Sequence, residues 1–482
     1  MDSSGVCFGT SGVRGLAVEM NPELCFAYTL AFLQVISVKP GTRLAIAMDL
    51  RPSSAAIAAS CAEAAHYAGI DVEFCGTIPT PALACYTQML GIPGMMVTGS
   101  HIPFDRNGIK FYGPTGEITK SQEVAISTAI ISVPQYFPIN LLPTLDPAAS
   151  EFYMERYLDF FPPKSLSGMR LALYEHSSVA RDILRNILVA LGAEVISLGR
   201  TDEFVPIDTE AVSEVDIRQA RLWAAEIGFD AILSTDGDAD RPLIGDEHGQ
   251  WLRGDIVGML CAQYLGVKTV VAPVNCNTAI ELSGAFLNVA RTRIGSPYVI
   301  EKMQQMIASG LPNVAGFEAN GGFLLGSTIE KEGRILSPLL TRDAAIPILS
   351  LLVMAKKQGC KLSELTRDLP ARYTASDRLR SFPPEVSRQI LFDLAASRAA
   401  ISELLGTIVG QPIGMDQTDG LRIFMEKGEI VHFRPSGNAP ELRCYTEAES
   451  QERANWLAQA CLRLIHEASN PIANTHQTQN IN

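Results

Sequence analysis

The chain has 482 residues, of which 47% are hydrophobic and 19% are charged. That length predicts roughly three or four domains, and the composition is that of an ordinary globular protein. The chain has 39 Lys and Arg residues and 52 Asp and Glu residues, so its formal charge is -13. This negative charge disfavours binding to nucleic acid or to an anionic membrane. Any phosphate that the protein binds must therefore be held by local basic groups.

The ten cysteines are dispersed without a CxxC pair, so neither a disulfide framework nor a zinc site is indicated. Residues 1–14 lack a basic segment followed by an apolar one. The most apolar helical pattern, Ile346 to Ala355, is too short to span a bilayer. We expect a soluble cytoplasmic protein.

Strand and helix patterns alternate in the first part of the chain. The apolar runs Leu44–Met48 and Gly94–Val97 predict strands, and Leu24–Val35 and Ala55–Ala68 predict helices. This alternation is typical of parallel βαβ units. The proline-rich stretch 133–148 is interpreted as a linker.

Two further α/β segments follow the linker. Their predicted elements are the strands Met169–Tyr174, Glu194–Leu198, Thr269–Pro273 and Val289–Arg293 and the helices Val179–Leu191, Asn277–Leu282 and Pro297–Ile307. We expect Ser296 to be an N-cap and Pro297 to lie in the first turn of its helix. The sequence thus predicts α/β units three times.

The pattern changes after residue 368. A helix is predicted over Glu385–Ala396, and the strands Leu421–Glu426 and Ile430–Arg434 follow it. A last helix is predicted over Gln451–Ala468. This order is typical of a smaller α+β domain.

The segment TGSHIP at 98–103 places Ser100 in a turn just after the predicted strand at 94–97. The pattern predicts an exposed nucleophile. A serine hydroxyl needs a base, a metal or an attached phosphoryl group to react, and His101 and Lys110 are the local candidates to help. A plain surface turn is the alternative.

The segment DGDADR at 236–241 places Asp236, Asp238 and Asp240 at alternate positions. Three carboxylates so close together repel one another and favour a cation, for which Mg²⁺ is the expected guest. Calcium is disfavoured because an EF-hand loop needs glycine at its sixth position, where this chain has Arg241. An aspartyl phosphatase and a solvated acidic turn remain alternatives.

Two glycine-containing segments suit anions. The segment FGTSGVRG at 8–15 lacks the GK[ST] ending of a P-loop, so ATP binding is not indicated, but its backbone and Arg14 could bind an anion. The segment RPSGNAP at 434–440, with Arg443, suits a phosphate dianion. A flexible leader and a β-turn are the respective alternatives.

The segment GFEANGG at 316–322 offers a carboxylate and an amide on a glycine-rich loop. Glu318 and Asn320 could hold sugar hydroxyls there. An ordinary polar loop explains the same residues.

Taken in order, the five segments resemble the signature loops of the α-D-phosphohexomutase family, the phosphomannomutases and phosphoglucomutases, from Phe8 to about Tyr445. The resemblance implies an α/β fold of four domains around a central cleft, three with a similar mixed-sheet topology and a smaller C-terminal α+β domain. The expected domains are 1–145 with the phosphoserine loop, 146–253 with the metal loop, 254–367 with the sugar loop and 368–482 with the phosphate loop.

The resemblance also implies roles for single residues. Ser100 would carry the phosphoryl group and would coordinate magnesium together with Asp236, Asp238 and Asp240. The groups lining the reacting phosphate would be Lys110 as general acid/base, Arg14, His101 and Arg241. The substrate-binding residues would be Arg293, Gly295, Glu318, Asn320, Arg434, Ser436, Gly437, Asn438 and Arg443.

The implied activity interconverts hexose 6-phosphate and hexose 1-phosphate, with mannose phosphates preferred. It would use Mg²⁺ and a hexose 1,6-bisphosphate, which is both intermediate and activator. The expected partners are small-molecule hexose phosphates, and the chain would be a monomer or a homodimer. The alternatives are a phosphoglucomutase, a phosphoglucosamine mutase, a metal-dependent sugar phosphatase and a non-catalytic sugar-phosphate sensor.

The chain departs from the family pattern at three loops. The common Ser-His-Asn-Pro has Ile102 in place of asparagine, and the common Ser-Gly-Thr-Glu-Pro is SGNAP at 436–440. The sugar loop, often Gly-Glu-x-Ser-Gly-His, has Gly322 in place of the histidine and Phe317 where a second glycine often lies. The choice among mannose, glucose and glucosamine phosphates therefore stays open.

Overall fold

The computed structural model describes residues 4–9, 11–135, 141–436 and 440–479, with side chains through residue 469. The middle of the expected linker, residues 136–140, lies outside this part. The described residues form two compact units. One contains the chain up to Ala272 together with Gly295–Arg367, and the other contains Pro273–Ile294 together with the chain from Asp368 onward.

The first α/β repeat supplies the Ser100 loop. Its elements are β1 (Cys7–Phe8), β2 (Val13–Leu16), α1 (Pro22–Val35), β3 (Arg43–Met48), α2 (Ser54–Tyr67), β4 (Asp71–Thr77), α3 (Thr80–Leu90), β5 (Gly94–Val97), β6 (Arg106–Gly113), β7 (Gly116–Glu117) and α4 (Lys120–Thr128). The sheet order is β1-β2-β6-β5-β3-β4, with β7 beside β6. The buried side chains of Phe32, Ile46 and Phe111 join helix and sheet in one core.

The second repeat supplies the aspartate loop. Its elements are α5 (Ala148–Phe160), β8 (Arg170–Tyr174), α6 (Arg181–Ala190), β9 (Glu194–Leu198), α7 (Glu214–Ile227), β10 (Ala231–Thr235) and β11 (Pro242–Gly245). The strand order is β11-β10-β8-β9. Ser213 caps α7 by accepting the Asp216 N–H, as expected for a serine before a helix.

The third repeat supplies the sugar loop. Its elements are α8 (Gly254–Leu265), β12 (Thr269–Pro273), α9 (Ala279–Leu282), β13 (Asn288–Thr292), α10 (Ser296–Ala308), β14 (Val314–Phe317), β15 (Phe323–Leu325), β16 (Ile329–Lys331), β17 (Arg334–Leu336), β18 (Leu339–Asp343), α11 (Ala345–Gln358) and a 3-10 helix (Leu362–Thr366). In the first unit, β12, β14, β15 and β18 follow one another in the sheet. The elements α9 and β13 belong to the second unit.

The start of α10 differs from expectation. The helix begins at Ser296, so the predicted N-cap at Ser296 is wrong, and the cap position is Gly295 with a φ of 133°. Glycine is favoured there because side chains with a Cβ rarely adopt that conformation. Pro297 lies in the first turn as predicted.

Each of the three repeats contains a hairpin of the same kind. A strand that is parallel to one neighbour turns back through a loop into an antiparallel strand, as in β5-β6, β10-β11 and β14-β15. The residue pairs that close the three hairpins are Val97 with Ile109, Thr235 with Pro242 and Phe317 with Phe323. The three loops that the sequence singled out therefore occupy the same position in each repeat, and the expected similar mixed-sheet topology is confirmed.

The C-terminal residues form an antiparallel α+β domain. Its elements are β19 (Tyr373–Leu379), α12 (Pro384–Ala396), α13 (Arg398–Val409), β20 (Pro412–Asp416), β21 (Leu421–Met425), β22 (Ile430–Pro435), β23 (Leu442–Ala448) and α14 (Gln451–Gln479). The sheet order is β19-β23-β22-β21-β20. Leu405, Phe433 and Leu457 belong to its buried core. Among the described helices, none combines the length and the apolar composition that a membrane crossing requires.

Candidate active site

Ser100 lies in the loop between β5 and β6. Its φ is 54°, a conformation that is uncommon outside glycine, and its exposed fraction is 0%. The hydroxyl donates a hydrogen bond of 2.6 Å to Oδ2 of Asp236 in the second repeat. The prediction that Ser100 is exposed is therefore wrong. The aspartate loop packs against the serine loop and covers the hydroxyl.

Arg51 holds the main chain of the Ser100 loop in place through hydrogen bonds. Its guanidinium donates at 2.6–2.9 Å to the main-chain carbonyls of Ser100, Ile102, Pro103 and Arg106. It also pairs with Asp49 at 3.2 Å and lies 4.0 Å from the ring centre of Phe204. A Cβ at Gly99 would lie 2.5 Å from Cζ of Arg51, so a side chain at position 99 would displace the guanidinium.

The three aspartates of the second repeat converge as the spacing predicted. Asp236, Asp238 and Asp240 are all buried, and one oxygen of each lies within 4.8 Å of the other two. Oδ1 of Asp238 is buried without a hydrogen-bond partner among the described residues. Carboxylate oxygens suit a hard divalent cation, so this donor set fits a magnesium ion.

The electrostatic environment differs strongly between members of the triad. Burial, and then the charges of Asp238 and Asp240, raise the pKa of Asp236 well above its usual value. Burial alone would also raise the pKa of Asp240, but the cations of Arg342 and Lys110 outweigh it and hold that pKa low. A cation in the triad would relieve the repulsion that raises the pKa of Asp236.

Lys110 on β6 lies among these carboxylates. Its Nζ donates to Oδ2 of Asp238 and to Oδ2 of Asp240, both at 2.7 Å. Oδ2 of Asp238 accepts a second hydrogen bond, of 2.6 Å, from the Thr80 hydroxyl. Burial would lower the pKa of Lys110, but the two carboxylates outweigh burial and raise it, so Lys110 is an ammonium at neutral pH in this arrangement.

His101 and two arginines complete the surroundings of Ser100. Nδ1 of His101 lies 3.3 Å from the Ser100 hydroxyl oxygen. The charge of Arg241, burial and the charge of Arg14 lower the pKa of His101 well below its usual value. Burial and Arg241 also lower the pKa of Arg14 to about 10. His101 is therefore neutral at pH 7, whereas both arginines keep their charge.

The sugar loop of the third repeat joins this cluster through Arg342. Arg342 donates to Oε2 of Glu318 at 2.7 Å and to Oδ2 of Asp240 at 2.7 and 3.1 Å. Asn320 accepts the N–H of Gly322 at 2.9 Å, which fixes its amide within the loop. Glu318 and Asn320 thus lie on a loop that is tied to the aspartate triad.

The second unit carries Arg293 and Arg434. Nε of Arg434 lies 2.8 Å from Oδ2 of Asp419, and the Ile294 N–H donates to the same oxygen at 2.9 Å. Nε of Arg293 donates to the main-chain carbonyl of Thr418 at 3.1 Å. The turn that holds Thr418 and Asp419 therefore connects the two predicted substrate arginines.

The remaining predicted clamp residues follow β22. The Ser436 N–H donates to the main-chain carbonyl of Glu441 at 2.8 Å, and Nη2 of Arg443 lies 3.8 Å from the Glu441 carboxylate. Gly437 and Asn438 lie outside the described residues.

Sequence reasoning missed three charged residues that organise these loops. Arg51 follows the predicted strand Leu44–Met48, and Arg342 lies next to Asp343, the last residue of β18. A charged residue at the end of a buried strand was the available signal, since burial of a charge requires partners. Asp419 carries no comparable signal, because it lies in an ordinary turn.

The site combines the buried hydroxyl of Ser100, a carboxylate triad and several cationic side chains. Such a combination suits the transfer of a group that carries several negative charges. The fold and this site together define the class of phosphoryl-transfer enzymes.

Comparison with known proteins identifies the family. Residues 5–136, 253–373 and 385–464 match the phosphoglucomutase/phosphomannomutase family in its alpha/beta/alpha domain I, its alpha/beta/alpha domain III and its C-terminal domain, respectively. A phosphomannomutase from Salmonella muenchen is 48% identical over 455 residues, which cover 94% of each chain. A phosphomannomutase from Sinorhizobium fredii (strain NBRC 101917 / NGR234) is 43% identical over 471 residues, which cover 96% of this chain and 99% of the relative. The chain belongs to the phosphoglucomutase/phosphomannomutase family.

A solved structure supports the fold. The crystal structure of a proposed phosphomannomutase from Thermus thermophilus matches with a TM-score of 0.75 and 23% identity. The match covers 96% of this chain and 100% of that chain. The similarity therefore extends over nearly the whole chain, which confirms the predicted α/β fold class.

Proposed function

We propose that this enzyme interconverts mannose 6-phosphate and mannose 1-phosphate through a phosphoserine at Ser100. The observation that carries the proposal is the 2.6 Å hydrogen bond between the Ser100 hydroxyl and Asp236 of the buried triad. The preference for mannose rests on two relatives named phosphomannomutase at 48% and 43% identity.

In the proposed reaction, the bond between phosphorus and Oγ of phosphorylated Ser100 breaks, and a new bond forms to a hydroxyl oxygen of the sugar. As the bond to phosphorus breaks, the ammonium of Lys110 gives a proton to Oγ, which then donates to Asp236, and the neutral Nζ takes up the proton of the sugar hydroxyl, so that Lys110 ends as an ammonium again. The product is a hexose 1,6-bisphosphate. After this bisphosphate turns around, its other phosphate returns to Ser100 by the reverse steps, so the enzyme is regenerated.

We propose Mg²⁺ as the resident ion, held by Asp236, Asp238, Asp240 and the phosphate on Ser100. When bound, the ion offsets the negative charge that develops on the transferred group. The chain itself contributes Arg14 and Arg241, whose guanidinium groups suit the phosphate oxygens, and neutral His101, which can exchange a hydrogen bond with Oγ.

Substrate would be recognised at both of its ends. Glu318 and Asn320 are proposed to bind ring hydroxyls. Gly295 is proposed to shape the substrate loop that contains Arg293. The non-reacting phosphate would be bound by the set Arg293, Arg434, Ser436, Gly437, Asn438 and Arg443, in which three guanidinium groups suit a dianion.

Four domains are proposed at 1–145, 146–253, 254–367 and 368–482, each with one of these loops. We also propose a cytoplasmic location, a monomer or homodimer, and hexose 1,6-bisphosphate as the activator that loads Ser100.

The decisive experiment incubates the purified chain with Mg²⁺ and catalytic hexose 1,6-bisphosphate. Turnover of mannose 1-phosphate, glucose 1-phosphate and glucosamine 1-phosphate is then compared. We expect the fastest isomerisation with mannose 1-phosphate and a phosphorylated peptide that contains Ser100. Ser100→Ala should lose at least ~10³-fold in kcat, since the nucleophile is removed, whereas Ser121→Ala at an exposed serine should keep wild-type turnover.

Other results would reject the proposal in different ways. Steady release of inorganic phosphate without isomer formation would indicate a sugar phosphatase. Faster turnover of glucose or glucosamine 1-phosphate would keep the mutase chemistry and replace the substrate. Full activity of Ser100→Ala would exclude the phosphoserine.

A further inference from the structure

Gly322, at the end of the sugar loop, lies directly against the side chain of Arg342. A Cβ built at position 322 would lie 2.6 Å from Cδ, 2.8 Å from Cγ and 3.0 Å from Cβ of Arg342. These atoms belong to the first part of the arginine side chain, so a small movement of its tip would not relieve the overlap. The φ of Gly322 lies outside the left-handed region, and backbone conformation alone therefore does not require glycine.

Arg342 connects the sugar loop to the aspartate loop. Its side chain is 3% exposed, and its guanidinium donates to Glu318 of the sugar loop and to Asp240 of the aspartate loop. Nη1 donates to Glu318, while Nε and Nη2 both donate to Asp240, so the planar fork of donors sets the direction between the two carboxylates, which the rotatable donors of an ammonium do not. Arg342 thus fixes the carboxylate of Glu318 at a defined place relative to the triad.

We infer that Arg342 is the positioning residue of the sugar loop, and that glycine at position 322 leaves the space that Arg342 needs. The inference rests on the proposed function, since a sugar hydroxyl is the group for which Glu318 is positioned. It also accounts for a departure noted in the sequence, where Gly322 replaces the histidine of related sugar loops. A histidine there would occupy the volume that the stem of Arg342 fills.

The inference predicts that the two positions depend on each other. Gly322→Ala alone should push Arg342 from its place and lower kcat/KM for mannose 1-phosphate by at least tenfold. Arg342→Ala alone should cause a loss of similar size. In the double variant, the added methyl group meets no arginine, so Gly322→Ala should cost less than twofold beyond Arg342→Ala. Such non-additivity identifies direct coupling.

Gly113→Ala is the matched control for the glycine substitution. Its φ also lies outside the left-handed region, and the nearest heavy atom to an added Cβ is 3.8 Å away. It should keep wild-type kcat/KM. Equal losses from Gly322→Ala in the wild-type and Arg342→Ala backgrounds would overturn the inference.

A second readout separates positioning from a structural role. With a wild-type sugar loop, mannose 1-phosphate should be preferred over at least one of its 2-deoxy, 3-deoxy and 4-deoxy analogues, because Glu318 is proposed to bind a ring hydroxyl. Arg342→Lys should fold normally and keep its charge, but should lose that preference at least fivefold, with the change mainly in KM. An unchanged preference in Arg342→Lys would overturn the positioning role.

Crystal structures distinguish failure of this inference from failure of the proposed function. If the wild-type chain isomerises no hexose phosphate, the proposed function fails. The structure of Gly322→Ala then decides the inference by itself. Displacement of Arg342 from Glu318 would support the spatial dependence, whereas an Arg342 that still bonds Glu318 would overturn it.

Discussion

The hydroxyl of Ser100 donates to Oδ2 of Asp236 at 2.6 Å, although the two residues are 136 positions apart in the chain. Each lies on the loop between a parallel strand and the antiparallel strand that follows it. In α/β folds, ligands bind at the carboxyl ends of the strands. Repetition of one hairpin therefore places a hydroxyl and a carboxylate triad at a common site.

Asp236→Asn should lower kcat by about 100-fold or more, because it removes one negative ligand and the acceptor of the Ser100 proton. Turnover of mannose 1-phosphate and the phosphoserine content by intact mass measure the effect. The control is Asp202→Asn, at a side chain that is 97% exposed, which should keep wild-type values. Full phosphorylation and turnover of Asp236→Asn would show that the hydrogen bond is dispensable.

Arg51→Met should destabilise the first repeat. Asp49 would remain buried without its cation, a situation that costs about 3–5 kcal/mol, and the Ser100 loop would lose its four carbonyl contacts. Urea unfolding midpoints measure the change. Arg43→Met breaks a pair in which the arginine is 47% exposed and should cost about 0–1 kcal/mol, so similar midpoints for the two variants would contradict the role of Arg51.

Arg434→Ala should mainly raise KM for mannose 1-phosphate, by about tenfold or more, while kcat changes little, because the proposed clamp binds substrate and transition state alike. Steady-state kinetics at saturating Mg²⁺ measure both constants. Arg388→Ala, at a side chain that is 68% exposed in the same unit, serves as the control. A fall in kcat with unchanged KM would place Arg434 in the chemical step instead.

His176 should make stability depend on pH. Burial lowers the pKa of His176 to about 4, and its Nε2 lies 2.9 Å from the Thr235 carbonyl. The folded state keeps this histidine neutral while the unfolded chain takes up a proton near pH 6.5. Its stabilising contribution is therefore complete above pH 6.5 and is lost as the pH falls towards 4.

The variant His176→Asn tests this prediction, since asparagine tolerates the positive φ of 28° at this position. Between pH 7.5 and 4.5, its unfolding free energy should fall less than that of the wild type, by a difference on the order of 3 kcal/mol. Urea unfolding at several pH values measures the two slopes. Parallel slopes would mean that His176 does not titrate in this way.

Local patterns predicted many elements well. The strands Gly94–Val97, Glu194–Leu198 and Thr269–Pro273 have the predicted bounds. The first and the third are buried throughout, and short runs of mostly apolar residues between turn residues are typical of such strands. Several helices were not predicted, among them α5, α7 and α13. Ser397 ends α12 and at the same time caps α13 by accepting the Ala400 N–H, with an extended φ of -158°, so two helices follow each other without a linker that the sequence could signal.

Only those features of the site that depend on local spacing were predicted. Spacing within one loop predicted that Asp236, Asp238 and Asp240 converge, since residues two apart in a turn are near neighbours in any fold. The burial of Ser100 was predicted wrongly, because exposure depends on which loop packs over it. Arg342 was overlooked, because its partners Glu318 and Asp240 lie 24 and 102 positions away.

The amino-acid sequence by itself determined the kinds of groups available and their local grouping: a serine in a turn, an acidic triplet, and glycine loops with arginines. Only the tertiary structure decided that Ser100 meets Asp236 and that Arg342 fills the space beside Gly322. The physical reason is that local spacing follows from bond geometry, whereas contacts between residues far apart in the chain, such as the 136 positions between Ser100 and Asp236, follow from how the strands and loops pack.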